Sequence, residues 1–140
     1  MQWLVKDEND LINIIPQLLN HIPKEGVVLF EGQMGAGKTT LIRNLLSELS
    51  MDKFQGSPTY SIVHEYLSKS SNTIYHFDLY RIESQEELVS IGFEEYLYNN
   101  SLSFIEWPEK SLKFLPEKRI WVYIRVNEEN KRIIEIKNDY

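Results

Sequence analysis

The sequence predicts an α/β fold of three layers, with a mixed, mostly parallel central sheet, helices on both faces and a C-terminal antiparallel hairpin. Three patterns support it. An apolar, β-branched run at residues 26–31 is followed by a glycine-rich turn and an amphipathic helix. Residues 73–77 and 102–106 form two further strand-like apolar runs. Residues 120–126 and 132–136 alternate around a polar turn, which is typical of a hairpin.

Length and composition predict one domain over residues 1–140. A chain of 140 residues, 42% hydrophobic and 26% charged, can bury a sound core. It has no cysteine, which excludes disulfides and zinc–thiolate sites. No apolar run approaches membrane-spanning length, and the N-terminus lacks the basic start and apolar centre of a signal peptide. We therefore expect a cytoplasmic protein without a membrane partner.

The net charge of −6 bears on nucleic acid binding. Direct binding to a phosphate backbone favours a basic face, and the sequence shows none. If the protein acts on RNA, we expect it to do so indirectly, through a partner.

The first half of the chain predicts a strand at residues 3–5 and a helix at 10–19, in which Pro16 indicates a kink or a nearby helix start. A second helix begins near Lys38. One face of it is apolar, formed by Leu41, Ile42, Leu45, Leu46 and Leu49. Residues 54–59 read as a loop because of their glycine and proline.

In the second half, residues 60–67 and 73–77 predict a hairpin. Ser84 and Glu87 have the spacing of a capping box, which predicts a helix that pauses at Gly92 and continues over 95–97. After the strand at 102–106, a short helix or turn is expected up to about residue 115.

Residues 32–39 match the phosphate-loop pattern of glycine, four residues, then Gly-Lys-Thr. Gly32, Gly35 and Gly37 can adopt backbone angles that let successive amides turn around a phosphate. The following helix points its N-terminus at the same anion. Lys38 would reach the β- and γ-phosphates, and the Thr39 hydroxyl would bind Mg²⁺. The predicted nucleotide contacts are Gly32, Met34, Gly35, Ala36, Gly37, Lys38, Thr39 and Thr40.

A phosphate loop needs a further acid near the metal, usually at the end of a neighbouring strand. Asp78 follows one strand-like run and Glu106 ends another. Ligands gather at the carboxyl ends of strands in such sheets, so both acids could face the loop. Each could instead cap the next turn, and for each acid both interpretations stay open.

Two other segments are candidates for nucleotide sensing. Ser57 and Thr59 lie in the loop after the first helix of the phosphate-loop unit, where nucleotide switches sense the γ-phosphate; an ordinary proline turn is equally compatible. Arg81 could neutralise phosphate charge or form a structural ion pair.

The remaining aromatic candidates have no metal-binding pattern. His64 and His76 lie in strand-like runs without metal-ligand spacing, so packing is the better interpretation for both. Trp107, next to Glu106, is either a core residue or a contact for a partner.

Four segments together resemble one family. They are Gly32-Gln-Met-Gly-Ala-Gly-Lys-Thr-Thr40, Ser57-Pro-Thr-Tyr60, His76-Phe-Asp-Leu-Tyr-Arg81 and Ile105-Glu-Trp-Pro-Glu109. In order and spacing they are similar to the TsaE family, small bacterial ATPases needed to make threonylcarbamoyladenosine in tRNA. The similarity spans about residues 8–136, and the third and fourth segments are its most diagnostic part.

The resemblance implies a P-loop ATPase that binds ATP or ADP with Mg²⁺ and hydrolyses ATP slowly. It implies TsaD-like and TsaB-like partner subunits, with tRNA contacted only indirectly. By the same resemblance, Lys38 contacts phosphates, Thr39 and Glu106 bind the metal, and Asp78 is a second acid for hydrolysis. Thr59 belongs to a switch-like loop and Trp107 to the element beside the site.

This chain departs from the family at two places. It has Gln33-Met34 where an acidic residue and leucine are common, and Asp10-Leu11 where a threonine often lies near the adenine.

Two other functions use the same loop. A small-molecule kinase would need an arginine-bearing lid and an acceptor pocket. Residues 73–106 contain a single arginine, Arg81, which makes a kinase the weaker interpretation. A nucleotide-gated binding module would bind ATP with little turnover.

Overall fold

In a computed structural model of the protein, which describes residues 1–139, the chain forms both helices and strands. The elements are β1 (Gln2–Val5), α1 (Glu8–Leu19), β2 (Gly26–Glu31), α2 (Lys38–Leu49), β3 (Val63–Leu67), β4 (Thr73–Asp78), α3 (Gln85–Ser90), α4 (Phe93–Leu97), β5 (Leu102–Glu106), β6 (Arg119–Val126) and β7 (Arg132–Asp139). Two short 3-10 helices, Pro108–Lys110 and Leu112–Phe114, lie between β5 and β6.

The strands form one sheet in the order β1-β7-β6-β2-β5-β4-β3. The four strands β6, β2, β5 and β4 are parallel to one another. The outer pairings, β3 with β4, β7 with β6 and β1 with β7, are antiparallel. The predicted mixed, mostly parallel sheet and its C-terminal hairpin are therefore confirmed.

Strand β2 lies at the centre of the sheet and contributes to both cores. Its residues Val28 and Phe30 pack in a core with α1 and α2. Val27 and Leu29 point the other way, into a core with α3 and α4. Successive side chains of a strand alternate between faces, so a strand that is apolar throughout requires a cover on both sides. The predicted helices on both faces are confirmed.

Two strand and helix boundaries differ from the expectation. Residues 60–62 form a turn instead of the start of β3, because the Ile62 amide donates to the Pro58 carbonyl at 2.6 Å and closes the chain locally. The predicted first helix, α1, is confirmed, but it begins at Glu8, so of the two alternatives for Pro16 the helix start is wrong. Its N-cap is Asp7, whose carboxylate accepts a hydrogen bond from the Asp10 amide at 2.9 Å.

The predicted capping box at α3 is wrong in its hydrogen bonds. Ser84 precedes the helix but makes no side-chain cap bond. The Glu87 carboxylate accepts instead from the Glu83 amide at 2.8 Å. The predicted pause at Gly92 is confirmed, since this residue has a φ of 73° between α3 and α4.

None of the helices within residues 1–139 has the length and apolar character that crossing a membrane requires.

Candidate nucleotide-phosphate site

A cleft of about 490 Å³ lies at the carboxyl ends of the central strands, beside the N-terminus of α2. Parallel strands end at the same edge of a sheet, so residues from distant parts of the sequence meet there. Its lining residues are Met34, Gly35, Gly37, Lys38, Thr39, Thr40, Ser57, Thr59, Asp78, Tyr80, Glu106 and Trp107. Most of the residues predicted for the site are thereby brought together.

The glycines of the loop serve two different purposes. Gly35 and Gly37 have φ values of 81° and 109°, in the left-handed region that the sequence predicts for them. Gly32 does not have a positive φ, so that part of the expectation is wrong. A Cβ at Gly32 would lie 2.7 Å from the carbonyl oxygen of Ile124 on β6. Glycine is required here because the start of the loop, directly after β2, lies very close to β6.

Ala36, predicted as a nucleotide contact, does not line the cleft. Its side chain is buried in the core against α1 and α2. Arg132 on β7 donates to the carbonyls of Ala36 at 3.3 Å and Gly35 at 3.4 Å. This guanidinium ties the loop to the sheet. The sequence pattern gave no signal for it, because Arg132 follows the loop by 96 positions.

Lys38 is buried within the cleft, with 6% of its surface exposed. Its ammonium donates to the carbonyl of Gly32 and lies 3.5 Å from the centroid of the Trp107 ring. Burial lowers the pKa of Lys38 below its ordinary value because the charged form loses hydration, and the carboxylate of Glu106 partly offsets this effect. The cleft therefore holds a cation that has little contact with water.

Trp107 is placed over Lys38 by an unusual backbone conformation. It has a φ of 57° immediately after β5, which is uncommon for a bulky residue. Its ring also packs against Tyr80, with the centroids 5.2 Å apart. Trp107 packs partly against the core, as one sequence-based interpretation allowed, and it also forms a wall of the cleft, in line with the place beside the site that the family resemblance implied.

Asp78 and Glu106 are direct register partners across the parallel pair β4–β5. Both side chains line the cleft that also contains Lys38 and Thr39. The expectation that both strand-end acids face the loop is therefore confirmed. Their surroundings differ, however.

The carboxylate of Asp78 is occupied by donors from its own chain. One oxygen accepts from the hydroxyls of Ser57 at 2.6 Å and Thr59 at 3.0 Å. The other accepts from the amide of Tyr80 at 3.0 Å, which is the turn-capping role that the sequence left open. Asp78 thus joins the loop carrying Ser57 and Thr59 to the end of β4.

Glu106 is 2% exposed, and its Oε2 lies 2.7 Å from Nε2 of His76. The sequence-based interpretation of His76 as a packing residue is incomplete, because the ring is buried but contacts a predicted site residue. A usable signal existed. His76 lies two positions before Asp78, so both side chains point to the same face of β4.

Arg81 is not among the residues that line the cleft. Its guanidinium stacks on the ring of Tyr60, 4.2 Å from the centroid, and donates to the Tyr60 hydroxyl at 3.0 Å. Here the structure supports neither the phosphate contact nor the structural ion pair that the sequence allowed.

Side-chain oxygens of residues that line the cleft could serve as ligands of a metal ion. Within the described part of the chain, no cluster of three or more His, Asp or Glu side chains could hold a metal by itself. Mg²⁺ usually takes only one or two carboxylates from the protein, together with water and phosphate oxygens. The Thr39 hydroxyl and the Glu106 carboxylate fit that pattern.

The comparisons with known proteins agree on one family. The family model described as "Threonylcarbamoyl adenosine biosynthesis protein TsaE" matches residues 5–134. The tRNA threonylcarbamoyladenosine biosynthesis protein TsaE of Haemophilus influenzae is 41% identical over 113 residues, 81% of this chain and 71% of that protein. The protein of the same name from Rickettsia felis is 36% identical over 135 residues, 95% of this chain and 77% of that protein.

A solved structure shares the fold. The crystal structure of Bacillus subtilis YdiB superposes with a TM-score of 0.79 at 22% identity, covering 100% of this chain and 86% of that one. The family model and the relatives together establish that this chain belongs to the TsaE family of threonylcarbamoyl adenosine biosynthesis proteins.

Proposed function

We propose that this protein binds ATP with Mg²⁺ and hydrolyses it slowly, in support of threonylcarbamoyladenosine formation in tRNA by a TsaD-like and TsaB-like complex. The observation that carries the proposal is the cleft in which Lys38, Thr39, Asp78 and Glu106 meet. These residues come from the start of α2 and from two strand ends, and they supply a cation, a hydroxyl and two acids to one space.

The phosphate groups would bind at the loop and the start of α2. Gly35 and Gly37 allow the backbone to turn its amides inward, and the first amides of a 12-residue helix have no partner within the helix. Lys38 adds a full positive charge beside them. A phosphate would replace the Gly32 carbonyl as the acceptor for the Lys38 ammonium, since its negative charge attracts the ammonium more strongly than a neutral carbonyl does.

Thr39 and Glu106 would hold Mg²⁺. When bound, Mg²⁺ neutralises the charge on the phosphate oxygens during transfer. Glu106 keeps one oxygen on His76, which leaves the other oxygen of the carboxylate for the metal side. Asp78 orients the loop of Ser57 and Thr59 toward the same space.

A neighbouring depression of about 220 Å³ fits the nucleoside end. It shares Gly37 and Thr40 with the phosphate cleft, so one nucleotide could reach both. Leu11 and Ile134 contribute apolar surface to it, which suits the face of a base. We propose that the base lies there, between α1 and β7.

Family membership and charge support the choice of partners. The relatives are named for tRNA threonylcarbamoyladenosine biosynthesis. A net charge of −6 opposes direct binding to a tRNA backbone. We therefore propose contact with the protein subunits of the modifying complex and only indirect contact with tRNA.

The test compares the purified protein alone with the protein mixed with TsaD-like and TsaB-like subunits. We expect slow release of phosphate from Mg²⁺-ATP by the protein alone and faster release in the mixture. Size-exclusion chromatography with and without ATP should show association that depends on nucleotide. Binding of ATP without phosphate release in the full mixture would contradict the hydrolysis part of the proposal.

A second candidate, a nucleotide-gated binding module with little turnover, is favoured by one observation. Asp78 already accepts from Ser57, Thr59 and the Tyr80 amide, which leaves it about one acceptor position for a water molecule in this conformation. Association with the partners that needs ATP but persists when hydrolysis is blocked would support the module. The kinase alternative gains no support, because Arg81 stacks on Tyr60 instead of facing the cleft.

A further inference from the structure

His76 is a fully buried side chain that does not line the cleft but contacts Glu106, which does. It is 0% exposed, on β4, and its Nε2 lies 2.7 Å from Oε2 of Glu106 on β5. The two residues are not register partners; His76 pairs with Phe104, two positions before Glu106. The bond is therefore diagonal across the parallel pair, and it joins two side chains on the same face of the sheet.

The environment of His76 does not suit a residue selected for packing alone. Its ring stacks on Phe54, with centroids 6.2 Å apart and planes at 26°. Its Nδ1 is buried and has no hydrogen-bond partner among the described residues. A buried polar atom without a partner costs free energy, which a phenylalanine in the same place would not incur. The bond to Glu106, which a phenylalanine could not make, offsets part of this cost.

The bond constrains Glu106 in a defined way. A carboxylate that binds a metal ion is an acceptor only, so in that state the hydrogen of this bond would lie on Nε2 of His76. A glutamate side chain has three rotatable bonds, and a fixed donor on one oxygen removes much of that freedom. Residues that hydrogen-bond a metal ligand orient it and commonly matter nearly as much as the ligand itself.

We propose that His76 is a positioning residue for Glu106: by holding Oε2, it directs the other carboxylate oxygen toward the metal bound with the nucleotide. This inference rests on the proposed function, since it presumes that Glu106 binds Mg²⁺. It assigns His76 no contact with nucleotide or metal.

The test compares two variants in which an amide side chain replaces the ring of His76. They differ in how far the amide nitrogen extends from the backbone. In His76→Gln the side-chain amide nitrogen lies about where Nε2 lies, and in His76→Asn only where Nδ1 lies. We expect His76→Gln to approach the native protein. We expect His76→Asn, and also His76→Phe, to weaken binding of Mn²⁺ to the ADP-saturated protein by about 10- to 100-fold. Mn²⁺ binding is measured by electron paramagnetic resonance.

Two further measurements separate positioning from a general loss of structure. Affinity for ADP in the presence of EDTA should stay within about twofold in all three variants, because the loop amides and Lys38 are unchanged. The melting temperature should not follow the Mn²⁺ affinity; His76→Phe should be at least as stable as His76→Asn. His21→Phe, which removes a histidine packed against Trp3 far from the cleft, is the matched control.

Equal Mn²⁺ affinity in His76→Gln and His76→Asn would overturn the inference. So would a loss of metal-free ADP affinity that matches the loss of Mn²⁺ affinity, because that would indicate a structural role. Failure of the native protein to bind Mn²⁺ with ADP is a different result. It would refute the proposed function itself.

Discussion

The ammonium of Lys38 lies 3.5 Å from the centroid of the Trp107 ring, while it donates to the carbonyl of Gly32. An ammonium over an indole face is stabilised by about 0.5–2 kcal/mol, depending on its contact with water. Lys38 is thus held inside the cleft by its own chain before any anion is bound. A phosphate must compete with these contacts, and it can do so because it offers a full negative charge.

Replacement of Lys38 by alanine should remove the main positive charge on the β- and γ-phosphates. We expect the affinity for ADP, measured by calorimetry, to fall at least about tenfold, since a hydrogen bond to a charged group contributes about 1.5–3 kcal/mol. Lys53→Ala, which removes an exposed lysine after α2, is the control. ADP binding equal in the two variants would contradict the phosphate site.

Nucleotide affinity should depend on pH through Lys38. Burial lowers its pKa below 10.5 in the free protein, whereas a bound phosphate raises the pKa again. Binding therefore takes up protons at pH values between the Lys38 pKa of the free protein and the Lys38 pKa of the complex. We expect constant affinity below the lowered pKa of the free protein and weakening affinity as the pH rises above it. Calorimetry in buffers of different ionisation enthalpy measures the proton uptake.

The control for this pH dependence is a shorter ligand. AMP lacks the β- and γ-phosphates, so its affinity should vary less over the same alkaline interval. An identical pH dependence for AMP and ADP would assign the effect to another group.

Glu106→Ala should harm hydrolysis more than binding. The loop amides and Lys38 remain, so affinity for metal-free ATP should change little. The rate of phosphate release should fall about 10²- to 10³-fold, as for the loss of one electrostatic contact in a transition state. The control is Glu94→Ala, which removes an exposed acid on α4. Equal losses of binding and hydrolysis would indicate a structural role for Glu106.

The loop at residues 56–62 should become more mobile when its hydrogen bonds to Asp78 are removed. In the double variant Ser57→Ala/Thr59→Val, both hydroxyl donors to one oxygen of Asp78 are lost. We expect amide hydrogen exchange in this loop to accelerate about tenfold or more, from the strength of hydrogen bonds to a charged acceptor. Ser61→Ala, in the same loop but exposed, is the control. Unchanged exchange in the double variant would show that other contacts fix the loop.

Gly32→Ala should destabilise the fold rather than only the nucleotide site. Its Cβ would lie 2.7 Å from the backbone oxygen of Ile124, which cannot move without shifting β6. We expect a loss of about 1–3 kcal/mol in the free energy of unfolding, as for other overpacked sites. Denaturant unfolding measures it, and the exposed neighbour Gln33→Ala is the control. A native stability in Gly32→Ala would contradict the close approach.

Much of the cleft was predictable from the sequence because its signals are local. The bounds of β2 and β5 and the start of α2 follow from apolar runs and a glycine loop. Placing Asp78 and Glu106 together needed only the rule that parallel strands end at one edge. The predicted strand start failed at Ile62, where one hydrogen bond closes a turn, and at α3 the predicted N-cap position was right but the capping bonds were not.

The sequence by itself determined that this protein has a phosphate loop, two strand-end acids and a mixed sheet. Each of these features can be recognised from residues that are close together in the sequence. Only the tertiary structure decided what each of them contacts. Trp107 lies over Lys38, His76 holds Glu106, and Arg132 supports the loop. These contacts join residues 30 to 96 positions apart, as in the bonds of His76 and Arg132, and no local pattern encodes them. They are fixed by the order and register of the strands.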